Sequence, residues 1–378
     1  MLPNQAVIHT KALQHNLQQI VSRLPENTQI CSAVKANGYG HGAIESARAF
    51  LAAGAHMLGV ASPEEGIQLR TAGFAQPIIL FTPFFPAEAQ AIAEHDLIPF
   101  VPDLQRIQLL QAAAKKTGKT CRFILKIDTG MGRVGCKPGQ AAELAQTAIQ
   151  KEQLELFGTA THFAAADSSD ESYTRNQLKR FHQALEAMRS AGINPGLISA
   201  SNSGAVIGFS PGQFFDLARP GIMQYGYFPS HEVERNLSLQ PAMTFETAVA
   251  YIKRVSAGES ISYGMTYTAT EDCDIATIPV GYADGIFRTL SNKGSVWING
   301  RLYPIVGRVC MDQFMVNLGL DSKVQLYDRV VIFGPPQQFA GAQDAPLTAE
   351  DIADLCNTIP YEITCAVSAR IPRVYSNT

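Results

Sequence analysis

From its start to about residue 230 the chain repeats one pattern, a short apolar run followed by a stretch with apolar residues at helical spacing. Such alternation implies parallel strands, because two parallel strands cannot be joined by a tight turn and need a crossover helix. Leu13, Leu17, Ile20, Val21 and Leu24 mark the apolar face of the first helix. Strand-like runs follow at 30–35, 57–61, 77–81, 97–101, 122–128, 156–162 and 196–200, with weaker ones near Phe215 and Ile222. Helical patterns lie between most of them, at 42–53, 63–72, 103–117, 138–150 and 172–191. An open doubly wound sheet and a closed (β/α)8 barrel both satisfy this alternation. The number of strands, and a length close to the ~250 residues of a typical barrel, favour the barrel.

After Glu234 the character changes. Residues 244–255, 275–279, 295–298, 302–306, 313–318 and 329–333 are β-rich, and Asn299-Gly300 between two of them is a hairpin signal. One late helix is expected at 348–357, where Thr348 and Asp351 have the spacing of a capping box. With 378 residues the chain has room for two domains. The expected fold is therefore α/β: an N-terminal TIM-like (β/α)8 barrel over 1–235 and a C-terminal mainly-β domain over 236–378. No Gly/Ser or Pro-rich tract separates them, so they should pack directly.

A net charge of −3 gives no electrostatic case for nucleic acid or an anionic membrane as partner. No apolar stretch reaches the length of a membrane span, and the N-terminus lacks a basic head and apolar centre, so a cytoplasmic location is expected. The seven cysteines, at 31, 121, 136, 273, 310, 356 and 365, never form C-x-x-C. Reduced thiols are expected, with neither a disulfide framework nor a catalytic metal.

Chemistry concentrates where apolar strands run into glycine-rich turns. Lys35 ends a strand and enters Ala36-Asn37-Gly38-Tyr39-Gly40-His41-Gly42. At the C-terminal end of a barrel strand a lysine can form a Schiff base with a carbonyl, since burial or cationic neighbours free its amine. Lys126-Ile127-Asp128-Thr129-Gly130-Met131-Gly132-Arg133 repeats the arrangement, and Arg133 offers bidentate recognition of a carboxylate. Thr161-His162 follows another strand. Ser201-Asn202-Ser203-Gly204 and Arg219-Pro220-Gly221-Ile222 fall late in the barrel half, where loops after the last two strands commonly bind phosphate.

The run AVKANGYGHG resembles the cofactor-lysine motif of bacterial alanine racemases, and the resemblance continues in order along nearly the whole chain. It implies that Lys35 holds pyridoxal 5'-phosphate covalently and that Tyr39 bonds its phosphate. His162 would lie against the cofactor ring, and Asn202, Ser203, Gly221 and Ile222 would belong to the cofactor pocket. Arg219 would face the pyridine nitrogen; a guanidinium can only donate there, so it disfavours a protonated ring and weakens the electron sink. In the second domain, Ile261-Ser262-Tyr263-Gly264 resembles the family's catalytic tyrosine motif. Racemisation needs proton carriers on opposite faces of a planar centre, and Lys35 and Tyr263 would be the two. The resemblance also implies that Tyr263 reaches the lysine of the opposite subunit of a homodimer. It places Arg133, Met311 and Asp312 near the substrate carboxylate, Tyr282 on the access path, and Tyr361 beside Tyr39. Some family members carry a carbamylated lysine at the position of Lys126.

Alanine is the substrate so implied, with D-alanine for peptidoglycan as the product. Three alternatives stand beside it: a barrel-type decarboxylase, a broad-specificity amino-acid racemase, and a non-catalytic pyridoxal-phosphate carrier. Arg219 and the Tyr263 motif argue against the first, and the β domain argues against the carrier. One departure from the family is Ser199, where many members have a histidine that supports the ring-facing arginine; a second is Ser201 in place of alanine.

Overall fold

A computed structural model describes residues 4–377, so the outermost ends of the two expected domains, 1–3 and 378, lie outside the described residues. The first strand, β1 (Gln5–His9), leads into an amphipathic helix, Thr10–Arg23, that buries Leu13, Leu17 and Ile20. Eight parallel strands then close into a barrel: β2 (Gln29–Ala33), β3 (Met57–Val60), β4 (Ile78–Leu80), β5 (Leu97–Val101), β6 (Cys121–Lys126), β7 (Leu154–Ala160), β8 (Leu197–Ser199) and β9 (Leu217–Ala218). Closure, which periodicity leaves open, is made by β2 against β9, with Gln29 opposite Leu217. Inside, Met57, Ile79, Ile98, Phe100, Ile124 and Leu217 pack on one another, so the barrel is a filled core.

Local chemistry punctuates the alternation. Ser62 and Glu65 form a capping box with Pro63 at the first helical position. Asp103 accepts the Arg106 N–H at 2.9 Å, and Gly118, at φ 68°, ends the helix that Asp103 starts. The strand expected near Ile222 is corrected: residues Ile222–Tyr225 form one 3-10 turn. Pro220, which has no N–H to give a neighbouring strand, lies two residues before it.

The second domain is built on β10 (Met243–Ala248), β11 (Tyr251–Val255), a small ribbon of β12 (Ser260–Ile261) and β13 (Tyr267–Thr268), then β14 (Cys273–Ile278), β15 (Ser295–Ile298), β16 (Arg301–Val306), β17 (Phe314–Gly319), β18 (Arg329–Phe333) and β19 (Arg373–Ser376). Asn299 and Gly300, at φ 48° and 92°, join β15 to β16 in a two-residue turn. The Thr348–Asp351 capping box is present at the start of the helix Ala349–Cys356. The β-rich stretch 244–255 is divided between β10 and β11, which lie far apart in the sheet order β11-β14-β17-β16-β15-β18-β10-β1-β19. A two-residue link between such distant positions requires the sheet to curl back on itself.

The expected assignment of every residue up to 235 to the barrel also needs correction. β1 pairs with β10 and β19, so the chain starts in the second domain's sheet before entering the barrel. Five residues without a strong apolar alternation carry no signal of which sheet will take them.

Candidate active site

At the C-terminal ends of the barrel strands lies a cavity of about 250 Å³. Lys35 enters it directly after β2. The turn that follows is left-handed throughout: Ala36, Asn37, Gly38, Tyr39 and Gly40 all have φ between 51° and 84°. Non-glycine residues resist this region, so the turn must be held from outside. The Ala36 N–H donates to Glu65 at 2.7 Å, the Asn37 side chain accepts the Ala43 N–H at 3.0 Å, and Arg373 Nε donates to the Gly40 carbonyl at 2.9 Å. Gly40 is also pressed against the helix Pro360–Ala366; a Cβ there would sit 2.0 Å from the Thr364 carbonyl oxygen. That same helix brings Tyr361 into the cavity beside Tyr39, with ring centres 6.0 Å apart.

Four cationic side chains converge here. Lys35 is half-buried, and burial, reinforced by Arg133, holds its amine below the ordinary lysine value. Lys126 ends β6; burial and then the Arg219 guanidinium push it down to about 7, and its Nζ donates to the Ile127 carbonyl at 3.0 Å. Arg133 rides on a loop that Asp128 folds by accepting the Gly130 and Gly132 N–H groups at 2.9 and 3.1 Å. Arg219 follows β9 and is 6% exposed, with burial lowering it to about 10. Among the described residues no carboxylate pairs with Arg219. Its Nη2 donates to the Thr161 carbonyl at 2.8 Å and to His162 Nδ1 at 3.3 Å, and the guanidinium lies 5.9 Å from the Phe100 ring centre. Burial and Arg219 hold His162 well below its usual value, so its ring is neutral.

Ser199 resolves the departure noted in the sequence. Arg219 Nη1 donates to its hydroxyl, which in turn donates to the Leu217 carbonyl at 2.6 Å. A small neutral acceptor therefore supports the arginine in place of a ring. Ser199→Ala would leave a buried guanidinium N–H without that partner, at a cost of about 1–3 kcal/mol. The expected result is a lowered Tm that Ser199→Thr restores; an unchanged Tm for the alanine variant would mean that the carbonyl acceptors suffice.

On the opposite wall, Asn202 caps the short helix Ser203–Gly208 and donates to the Phe163 carbonyl at 3.3 Å. Ser203 Oγ accepts the Gly221 N–H at 2.9 Å, which ties together the loops after β8 and β9. At Gly221 a Cβ would sit 2.6 Å from the Tyr39 hydroxyl. Ile222 itself is fully buried in the core, so any part it plays in the cavity is through its backbone.

The structure thus brings Lys35, Tyr39, Lys126, Arg133 and His162 into one cavity with Asn202, Ser203, Arg219, Gly221 and Tyr361. Tyr263, Tyr282, Met311 and Asp312 are not in its lining. They form a separate surface on the second domain, where Tyr263 is 74%, Met311 53% and Tyr282 45% exposed. Their loops are bonded to each other: the Tyr282 and Ala283 N–H groups donate to the Cys310 and Met311 carbonyls at 3.0 Å, and Ser262 Oγ donates to the Arg308 carbonyl at 2.7 Å. Asp312 accepts from Arg370 at 2.9 Å. The tyrosine loop is strained at Ser262 and Met265, at φ 67° and 47°, on either side of Tyr263 and Gly264.

Sequence reasoning missed several lining residues. Phe81, Phe100, Met131 and Val134 read only as core or loop, and Asp167 sits in an Ala165-Ala166-Asp167-Ser168-Ser169 stretch with no periodicity. Burial raises the Asp167 carboxyl. No local signal marks it, because its place depends on how the loop after β7 folds over the cavity.

Fold and site together define a two-domain barrel enzyme with a lysine amine and an anion-receptive pocket at the C-terminal strand ends. Two family models match the chain, the alanine racemase N-terminal domain over residues 8–229 and the alanine racemase C-terminal domain over 242–375. An alanine racemase of Treponema denticola is 42% identical over 99% of this chain and 98% of its own length. Among solved structures, alanine racemase of Clostridium difficile superposes with a TM-score of 0.94 at 34% identity, covering 100% of this chain and 96% of that one. Alanine racemase of Bartonella henselae, described with covalently bound pyridoxal phosphate, gives 0.87 at 30% identity over 100% of both chains. The chain belongs to the alanine racemase family, and it is an isomerase of the racemase class.

Proposed function

We propose that this chain interconverts L-alanine and D-alanine with pyridoxal 5'-phosphate, by a two-base mechanism in a homodimer with shared sites. The observation that carries the reading is the convergence of Lys35, Lys126, Arg133 and Arg219 on one barrel-end cavity. A phosphate and a substrate carboxylate are the charges such a cavity suits. The residues present fit the cofactor: the absence of a Cβ at Gly221 leaves room between the Ser203 loop and the Tyr39 hydroxyl. The relative from Bartonella henselae, described with the cofactor bound covalently, supports the same assignment.

Bound pyridoxal phosphate supplies an electron sink that acidifies the Cα–H of an attached amino acid. Lys35 would hold it covalently, with Tyr39, Tyr361, Asn202, Ser203, Gly221 and the Ile222 backbone at its phosphate end and His162 against the ring. Arg219 would donate towards the ring nitrogen and could not take up its proton, which would keep the sink weak and favour return of a proton to Cα over side reactions. Arg133 would receive the substrate carboxylate, aided by the Met311 backbone and Asp312 of a second copy, which lie on the same surface as Tyr263.

Lys35 moves the proton on one face of Cα, and Tyr263 from a second copy moves it on the other. An exposed tyrosine on a strained loop, beside Met311 and Tyr282, is what a subunit interface would cover. Carbamylation of Lys126 belongs to the same proposal. A neutral fraction of its amine, expected from the shift to about 7, adds carbon dioxide with loss of a proton, giving Arg133 and Arg219 an anionic partner. A carbamate resonance after labelling with bicarbonate would reveal it; its absence removes that partner. The proposed role is supply of D-alanine for peptidoglycan in the cytoplasm.

The experiment is D-alanine formation from L-alanine by the purified chain, with and without pyridoxal phosphate, beside L-serine, L-lysine and L-arginine. Cofactor-dependent turnover of alanine in preference to the others is expected. Comparable turnover of the larger substrates would replace the proposal with a broad-specificity racemase. Bound cofactor without any turnover would replace it with a carrier, and the role of Tyr263 would fall first.

A further inference from the structure

His41 lies behind the cavity wall, completely buried, and lines no part of the site. Its Nδ1 is 2.9 Å from the Tyr39 carbonyl oxygen and 3.2 Å from that of Gly38. Both neighbours can only accept, so the ring proton is on Nδ1. Nε2 then carries a lone pair, and no hydrogen-bond partner meets it among the described residues. Burial, the largest influence, lowers His41 to about 4, so the ring stays neutral at physiological pH.

The imidazole therefore gives its one proton to a turn that local preference opposes. Tyr39 sits at φ 51°, in a region bulky residues seldom adopt. The ring also packs 4.6 Å from that of Tyr225, which stacks at 4.8 Å and 26° on Tyr39. Tyr225 is fixed in its turn, donating its hydroxyl proton to the Ala33 carbonyl at 2.9 Å and meeting Phe50 edge-on at 5.4 Å. His41, Tyr225 and Tyr39 thus form a continuous stack from the core to the point where the Tyr39 hydroxyl lies against Gly221.

We infer that His41 is a positioning residue for the phosphate end of the cavity, acting through the Tyr39 carbonyl and the Tyr225 ring to aim the Tyr39 hydroxyl. The inference rests on the proposed reading that pyridoxal phosphate binds here with its phosphate at Tyr39. It goes beyond that reading in making a buried histidine, which no ligand touches, decide how well that end is formed.

The test compares pyridoxal phosphate with pyridoxal, which has the same aldehyde and no phosphate. Each is titrated into cofactor-free protein and followed by the absorbance of its Lys35 adduct. His41→Phe keeps an aromatic ring and loses the N–H donor. It should weaken pyridoxal phosphate about tenfold, the scale of a lost buried hydrogen bond, and leave pyridoxal unchanged. His41→Asn, which retains a side-chain N–H, should recover part of the loss and serves also if the phenylalanine variant does not fold. Tyr39→Phe should show the same selectivity, and adding His41→Phe to it should cost little more, because both act at one hydroxyl. Equal weakening of both ligands would overturn the inference, since a histidine that merely stabilises the Lys35 turn would act on both. No weakening of either would overturn it too. If the unsubstituted chain bound no pyridoxal phosphate, the proposed function itself would fall and take the inference with it; the wild-type titration separates that failure from the others.

Discussion

Replacing Lys35 with alanine should abolish both the cofactor absorbance that depends on a covalent link and all racemisation above the uncatalysed rate. Lys35 has two tasks in the proposed reaction, holding the cofactor and moving a proton on one face of Cα. Its position suits both. It follows β2 at the barrel's C-terminal end, and burial together with Arg133 keeps its amine below the usual lysine value. Among the described residues the other lysine lining the cavity is Lys126, whose value is lowered as well, to about 7, and it is the candidate to substitute. The absorbance of the Lys35→Ala variant loaded with pyridoxal phosphate decides between them. An intact adduct band would assign the cofactor to Lys126 and overturn the role of Lys35. Loss of the band with the fold retained is the expected result.

The second large effect is expected at Tyr263. Tyr263→Phe should bind pyridoxal phosphate as the wild type does and lose about 10²–10⁴ in racemisation, the usual contribution of one positioned proton carrier. The proton on the Lys35 face should still exchange. In deuterated water, therefore, the variant should exchange the Cα–H of one alanine enantiomer without interconverting the two. Near-normal turnover in both directions would sink the assignment. Because Tyr263 is 74% exposed and absent from the cavity of its own chain, the same variants also test sharing between subunits. Mixing Lys35→Ala protein with Tyr263→Phe protein and allowing subunits to exchange should restore activity, since a mixed dimer contains one site with both residues intact. No restoration despite demonstrated exchange would mean that the two residues do not meet across an interface.

Much of the barrel was legible because its signals are local. Periods of two and of 3.6 residues, glycines after strands, and capping pairs such as Thr348 with Asp351 act within a few residues of one another. The motifs around Lys35, Arg133 and Arg219 were legible for the same reason: each is a strand end followed by a turn that only certain residues can make. The resemblance to alanine racemases supplied the roles that such patterns leave open. What stayed hidden depends on partners remote in sequence. β1 shows no strong alternation of its own, and its place is set by β10 and β19, more than 230 residues away. Asp167 enters the cavity only because the loop after β7 folds over it. Ser199 read as a lost support for Arg219, whereas a bond to the Leu217 carbonyl orients its hydroxyl to accept from the guanidinium.

The sequence alone determined the alternation, the change of architecture after the barrel, and the residue types that can hold an amine-linked, phosphate-bearing cofactor. Those follow from backbone preference and side-chain chemistry, which each residue brings with it. Tertiary structure decided closure of the barrel, the return of β1 to the other domain's sheet, and the gathering of four cations into one cavity. It also lowered the amines of Lys35 and Lys126, because desolvation is a property of surroundings and not of a side chain. Tyr263 shows the division most plainly: its motif is written in consecutive residues, yet its absence from the lining of its own chain's cavity is visible only in the folded molecule.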